Sequence, residues 1–87
     1  MTNSTGEDNA AVGAFALFTN TTANFNNAFG HSALQSNVDG GQNNAMGDSA
    51  MFDNTTGAFN TAIGDDALFS CTEGSSNVAI GDEAGAT

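Results

Sequence analysis

The sequence contains no lysine and no arginine among its 87 residues, but ten aspartate and glutamate residues. The formal net charge at pH 7 is therefore −10. Proteins grip the phosphates of nucleic acids and of anionic membranes with Lys and Arg side chains, and a negatively charged protein repels both. The composition thus excludes nucleic-acid binding and binding to an anionic membrane.

Cysteine and long apolar runs are also scarce. Cys71 is single, so no intrachain disulfide can form and cysteine usage does not indicate a redox compartment. No apolar run approaches the roughly 20 residues of a membrane-spanning helix, and residues 1–10 lack the apolar segment of a signal peptide. The sequence predicts no membrane insertion.

The residues that are present predict a folded chain. Hydrophobic residues make up 39% of the sequence and include seven phenylalanines, which is too apolar for a disordered acidic tail. A chain of this length forms at most one small domain, whose core is marginal unless repetition or a partner adds to it.

A motif recurs every 17 residues without insertion or deletion. The phrase NTAIGDDALFS at residues 60–70 follows the closely similar NNAMGDSAMFD at residues 43–53. Four columns of the repeat are invariant. Two of them hold alanine, and the other two are Gly13, Gly30, Gly47, Gly64 and Gly81, and Asn9, Asn26, Asn43, Asn60 and Asn77. We interpret residues 1–87 as one repeat domain, with a partial unit at 1–8 and units at 9–25, 26–42, 43–59, 60–76 and 77–87.

Apolar residues fill further columns of the repeat. One column follows an alanine and precedes the glycine: Val12, Phe29, Met46, Ile63 and Ile80. A second follows another alanine: Leu17, Leu34, Met51 and Leu68. Phenylalanine comes next in three units: Phe18, Phe52 and Phe69. We predict that these residues form the core and the assembly surface, and that the five glycines form turns.

A 17-residue unit is too short for a pair of helices but suits one coil of a β-solenoid. Glycine at short intervals and the Asn-Thr-Thr clusters argue against a helix. The sequence therefore predicts an all-β fold, a parallel β-solenoid (β-roll or β-helix) of about five 17-residue coils, with two short strands in each coil.

The apolar residues come in adjacent pairs, an alanine beside a larger residue. Neighbours in a strand point to opposite faces, so both faces of each predicted strand are apolar, as with Ala67 and Leu68. One face fills the coil, and the other needs a cover. We therefore expect a homo-oligomer.

The phrases NTAIGDDALFS, NTTGAFNTAIG and SSNVAIGDEAG resemble the repeats of trimeric autotransporter adhesin heads (the YadA-like β-roll), and more closely those of phage tail fibres. The resemblance covers nearly the whole chain. It implies a trimer of β-rolls around a shared axis, in an extracellular, cell-surface or virion fibre that acts in adhesion.

Acidic residues follow the glycine in three units and form a candidate Ca²⁺ site. The ladder comprises Asp48, Asp65 and Asp82, with Asp66 and Glu83 beside it. Stacked carboxylates repel one another, and a bound cation would relieve that repulsion. The alternative, which we favour, is that they lie on solvated turns, because the sequence contains no recognised calcium motif.

Amide and hydroxyl ladders leave two further binding hypotheses. The asparagine columns could present amides to a glycan, although repeated amides more often bond to one another along a stack. Paired Thr and Ser residues suggest ice binding, but Val38 with Asp39 and Thr72 with Glu73 interrupt them. His31 lacks a placed nucleophile, so we predict that the protein is not an enzyme.

These patterns favour a structural or adhesive fibre protein that assembles with itself. One version is a segment of a trimeric fibre. The other is a subunit that stacks end to end through uncapped solenoid ends into a filament. A cell-surface glycan or receptor is the expected ligand, and the sequence predicts no cofactor other than the candidate Ca²⁺.

Overall fold

A computed structural model of the chain describes residues 6–85. It contains five parallel three-residue strands: β1 (Ala10–Val12), β2 (Asn27–Phe29), β3 (Asn44–Met46), β4 (Thr61–Ile63) and β5 (Val78–Ile80). The strands form one sheet in chain order. Each residue pairs with the residue 17 positions later, as Ala28 pairs with Ala45 and Phe29 with Met46. The fold is the parallel β-solenoid that the repeat predicts.

The solenoid makes about four turns, because five strands in chain order enclose four complete coils. The prediction of about five coils counted the unit that β5 opens, which the described residues do not complete. In the same part of the chain, no helix has the length and apolar character that a bilayer crossing requires.

The predicted second strand of each coil is wrong. Residues 14–19 form consecutive turns, and so do the equivalent residues of the next three coils. The N–H of Ala16 donates to the Gly13 carbonyl at 3.3 Å, and that of Phe18 donates to the Phe15 carbonyl at 3.2 Å. Phe15 and Leu17 have φ of 63° and 50°, as expected for the third residue of a type II turn. The chain therefore curves here instead of extending.

Because the segment curves, its adjacent apolar residues do not alternate between two faces. Ala16 and Leu17 are both buried inside the coil, and so are Ala67 and Leu68. The prediction that Ala67 and Leu68 point to opposite faces is wrong, since that alternation requires extended backbone. Leu17 and Leu68 consequently lie in the interior, and the apolar side chains that the first of these segments exposes are those of Phe15 and Phe18.

The strands do alternate as predicted. In β2, the central Ala28 is buried, whereas Asn27 and Phe29 on either side are exposed. The same arrangement holds in β3, where Ala45 is buried between Asn44 and Met46. In each of these strands, an apolar side chain thus points outward while the central alanine fills the interior.

A glycine directly follows each strand, where the coil turns most sharply. The φ angles of Gly13, Gly30, Gly47, Gly64 and Gly81 lie between 121° and 136°, a region that side chains rarely adopt. At Gly47, an added Cβ would also lie 2.5 Å from the carbonyl oxygen of Gly64 in the next coil. Two independent constraints thus explain the invariant column.

Candidate assembly surface

The outer face of the sheet carries a continuous row of exposed apolar side chains. We call it the outer apolar row, and it comprises Val12, Phe29, Met46, Ile63 and Ile80. These side chains are 39–67% exposed. Because the strands pair in exact 17-residue register, the five residues lie directly above one another along the solenoid.

A second row flanks the outer apolar row at the start of each strand. It comprises Ala10, Asn27, Asn44, Thr61 and Val78. Asn27 Nδ2 donates to Asn44 Oδ1 at 2.7 Å, so these amides bond along the sheet. Between the two rows lies a shallow groove of about 230 Å³ with Phe29, Met46 and Ile63 along one side.

This face bears no charge. All ten acidic residues lie outside the strands: Glu7, Asp8, Asp39, Asp48, Asp53, Asp65, Asp66, Glu73, Asp82 and Glu83. The outer face of the sheet is thus both the most apolar and the least charged surface that the strands present.

The other residues predicted for core and assembly divide between two environments. Leu17, Leu34, Met51 and Leu68 are buried inside the coils and cannot contact a partner. Phe18 is exposed, whereas Phe52 and Phe69 are half-buried and stack on each other with ring centroids 5.0 Å apart. Contacts within the chain therefore cover part of the phenylalanine column, namely Phe52 and Phe69, and leave Phe18 exposed.

Sequence reasoning missed Phe15, which forms an exposed aromatic pair with Phe18. Phe15 packs edge to face against Phe18, with ring centroids 5.3 Å apart, and its ring also meets that of His31 at 5.8 Å. Phe15 occupies a column that holds serine or acidic residues in the later coils. No periodic signal could have identified it.

The acidic ladder lies on the turns after the strands. Among residues 6–85, no group of three or more His, Cys, Asp and Glu side chains is arranged to hold a metal ion. The pKa of Asp65 is raised above its ordinary value of 3.8, first by desolvation and then by repulsion from Asp66, Asp48 and Asp82. Part of the raised pKa of Asp65 thus comes from carboxylates of its own coil and of the neighbouring coils.

His31 contacts both a carboxylate and a hydroxyl group. Its Nδ1 lies 3.2 Å from Asp48 Oδ1 and 3.2 Å from Ser32 Oγ. In a catalytic triad, the acid and the nucleophile contact different ring nitrogens, which lets the histidine pass a proton between them. Here both partners share one nitrogen, so this is not the geometry of a triad.

The invariant asparagine column closes each coil and joins it to the next. Asn26 Nδ2 donates across the coil to the Gly40 carbonyl at 2.8 Å, and Asn26 Oδ1 accepts from the Asn43 main-chain N–H at 3.0 Å. Asn43 and Asn60 repeat both bonds. Since Asn26, Asn43 and Asn60 are fully buried, these amides belong to the interior and cannot reach a glycan.

A second column of buried amides forms a ladder of side chains. Asn37 Nδ2 donates to Asn20 Oδ1 at 2.9 Å, and Asn54 Nδ2 donates to Asn37 Oδ1 at 2.8 Å. The next member of the column is Cys71, which has no amide. Asn54 Oδ1 is consequently buried without a hydrogen-bond partner.

The hydroxyl pairs do not form a regular surface. Thr55 is half-buried, and its hydroxyl donates to the Thr72 carbonyl at 3.3 Å. In the coil before it, the same two columns expose Val38 and Asp39. An ice-binding face needs evenly spaced hydroxyl groups, which these columns do not supply.

No protein-family model, curated protein or solved structure matches the chain. The resemblance to adhesin heads and tail fibres therefore stays a prediction from the repeat phrases. The function is therefore inferred from the outer face of the sheet and the acidic turns.

We expect Cys71→Asn to stabilise the protein. The new amide would donate to Asn54 Oδ1 and continue the ladder, and satisfying one buried acceptor contributes about 1 kcal/mol to the free energy of unfolding. Cys71→Ser is the control, because its hydroxyl is too short to reach the preceding coil. Urea titration checks the prediction, and equal stability of both variants would contradict it.

We expect Asp65→Asn to change the pH dependence of stability. A raised carboxyl pKa means that the fold favours the protonated form, so wild-type stability falls as the pH rises from 3.8 through the folded-state pKa. The variant should be more stable than wild type at pH 7, and this advantage should vanish below pH 3.8.

Asp39→Asn makes the same charge change outside the ladder and should have a smaller effect. Thermal unfolding of all three proteins between pH 3 and pH 7 gives the comparison. An advantage of Asp65→Asn that is independent of pH would refute the role of the ladder.

Proposed function

We propose that the protein is a structural segment of a fibre, and that it assembles with further copies of itself through the outer face of its sheet. The observation that carries the proposal is the outer apolar row, which remains exposed although every coil has an apolar interior. A contiguous apolar stripe on a small protein promotes association, because association removes apolar surface from water.

The charge distribution favours a second copy as the partner. Two copies each carrying −10 repel wherever their acidic turns approach. The outer face of the sheet lacks charged residues, so two copies can meet there with the least repulsion. A basic partner, by contrast, would favour the acidic turns over this uncharged face.

The outer apolar row presents enough apolar side chains to support a stable contact. Burying one Val, Ile, Met or Phe side chain contributes about 1.5–3 kcal/mol, and the row presents five such residues on each copy. Association costs about 4–15 kcal/mol in lost freedom of motion. Two or more rows packed together can therefore exceed that cost.

One form of assembly uses the outer face of the sheet, and a second form would use the ends of the solenoid instead. Three copies could pack their outer rows around a common axis, as the resemblance implies. Alternatively, copies could stack end to end, because β1 and β5 are the edge strands of the sheet and an edge strand can pair with another chain. We place either fibre outside the cell, on a cell surface or on a virion, with a glycan or receptor as its ligand.

Acidic substitutions in the outer apolar row should prevent assembly. We expect wild-type protein to be oligomeric at micromolar concentration, and the double variant Phe29→Asp with Ile63→Asp to be monomeric, because each contact would bury unpaired carboxylates. Light scattering coupled to size-exclusion chromatography gives the mass of each species.

Thr22→Asp with Ser70→Asp is the matched control. It adds the same two charges at exposed positions outside the strands, and it should remain oligomeric. Monomeric wild-type protein at several hundred micromolar, or an oligomer that survives the outer-row substitutions, would contradict the proposal.

A further inference from the structure

The ladder of buried amides is interrupted between its third and fourth coils. Asn20 and Asn37 each accept, through Oδ1, a hydrogen bond from the amide nitrogen of the next coil. Asn54 Oδ1 occupies the equivalent place and is fully buried, but it receives no bond. Cys71 stands where the next donor belongs, and no hydrogen bond joins its sulfur to Asn54 Oδ1.

The thiol occupies part of the space that an asparagine side chain would fill. A Cβ added at Gly74 would lie 2.7 Å from Cys71 Sγ, and one added at Gly40 would lie 2.8 Å from Asn37 Oδ1. Both side chains thus point towards the glycine three residues later. The cysteine differs in lacking the nitrogen that donates to the preceding coil.

Oxidation of the thiol to a sulfenic acid would supply the missing donor. The chain of atoms Cβ–S–O–H matches Cβ–Cγ–Nδ2–H of asparagine, with sulfur in the place of Cγ and the hydroxyl in the place of the amide group. Cys71 is half-buried, so a small oxidant has access to it. The added hydroxyl could then donate to Asn54 Oδ1.

We propose that Cys71 is a site of reversible oxidation by hydroperoxides, and that the ladder of buried amides stabilises its sulfenic acid. The thiolate sulfur attacks one peroxide oxygen, an S–O bond forms and the O–O bond breaks. Sulfur gives up two electrons, the attacked hydroxyl oxygen stays on sulfur with its hydrogen as the sulfenic acid, and the other oxygen leaves as hydroxide or alkoxide, which takes up a proton from water. The resulting O–H donates to Asn54 Oδ1.

Oxidation should therefore raise the stability of the fold. Satisfying one buried acceptor in a domain of this size corresponds to a rise in Tm of about 4–8 °C. Hydrogen peroxide is the oxidant to use, and intact mass should show one added oxygen atom. Trapping with dimedone, which reacts with sulfenic acids, identifies the product, and dithiothreitol should return the Tm to its starting value.

Two variants give the controls. Cys71→Asn already contains the donor, so it should have the higher Tm without peroxide and should not respond to it. Ser70→Cys combined with Cys71→Asn places a thiol at an exposed neighbouring position, and its oxidation should leave the Tm unchanged.

Four results would overturn the proposal. These are a sulfenic acid at Cys71 that does not raise the Tm, direct conversion to sulfinic acid without a trappable intermediate, a disulfide-linked dimer as the main product, and a Cys71→Asn variant with the wild-type Tm. The last result would mean that water already satisfies Asn54 Oδ1.

Discussion

The buried asparagine amides are the interaction on which this solenoid depends. A coil of 17 residues encloses a narrow interior, and the main chain turns so often that many of its polar groups face inward without a partner in a strand. Buried main-chain groups must be hydrogen-bonded. Asn43 meets that requirement by donating to the Gly57 carbonyl at 2.8 Å and accepting from the Asn60 N–H at 3.0 Å.

This constraint limits what else the interior can hold. With two asparagines in each of the first three coils, the remaining space accommodates two alanines and one larger residue, such as Ala45, Ala50 and Met51 in the third coil. The apolar residue at the end of each strand then has no place inside. Phe29 and Met46 lie outside for that reason, and the outer apolar row is a consequence of how the coil is filled.

The repeat made the fold predictable, but it did not predict the conformation of the turn segment in each coil, such as residues 14–19. Period, parallel register, turn glycines and asparagine ladders all follow from residues that recur 17 positions apart. The consecutive turns do not, because Leu34 and Met51 adopt φ of 53° and 55°, a left-handed conformation that costs such residues about 1–2 kcal/mol. In the column of Leu34 and Met51, Gly85, with φ of 64°, is the one residue whose type indicates a left-handed conformation.

The candidate assembly surface was also predicted only in part. Alternation along β2 and β4 correctly put Phe29 and Ile63 on the opposite face from their neighbouring alanines, but it did not say which face is the outer one. The same rule misplaced Leu68, because it was applied to a segment that does not extend. Phe15 could not be found, since an exposed aromatic residue in one coil leaves no trace in the others.

The most direct test of the invariant asparagine column is to compare Asn43→Ala with Asn44→Ala by chemical denaturation, at one protein concentration and one state of assembly. The two residues are neighbours, but Asn43 is buried in the interior and Asn44 is exposed on the sheet. We predict that Asn43→Ala lowers the free energy of unfolding by about 3 kcal/mol, because it leaves the Asn60 main-chain N–H unpaired and removes one of the two bonds to the Gly57 carbonyl, and that Asn44→Ala costs less than about 1 kcal/mol. Equal losses for the two variants would contradict the account.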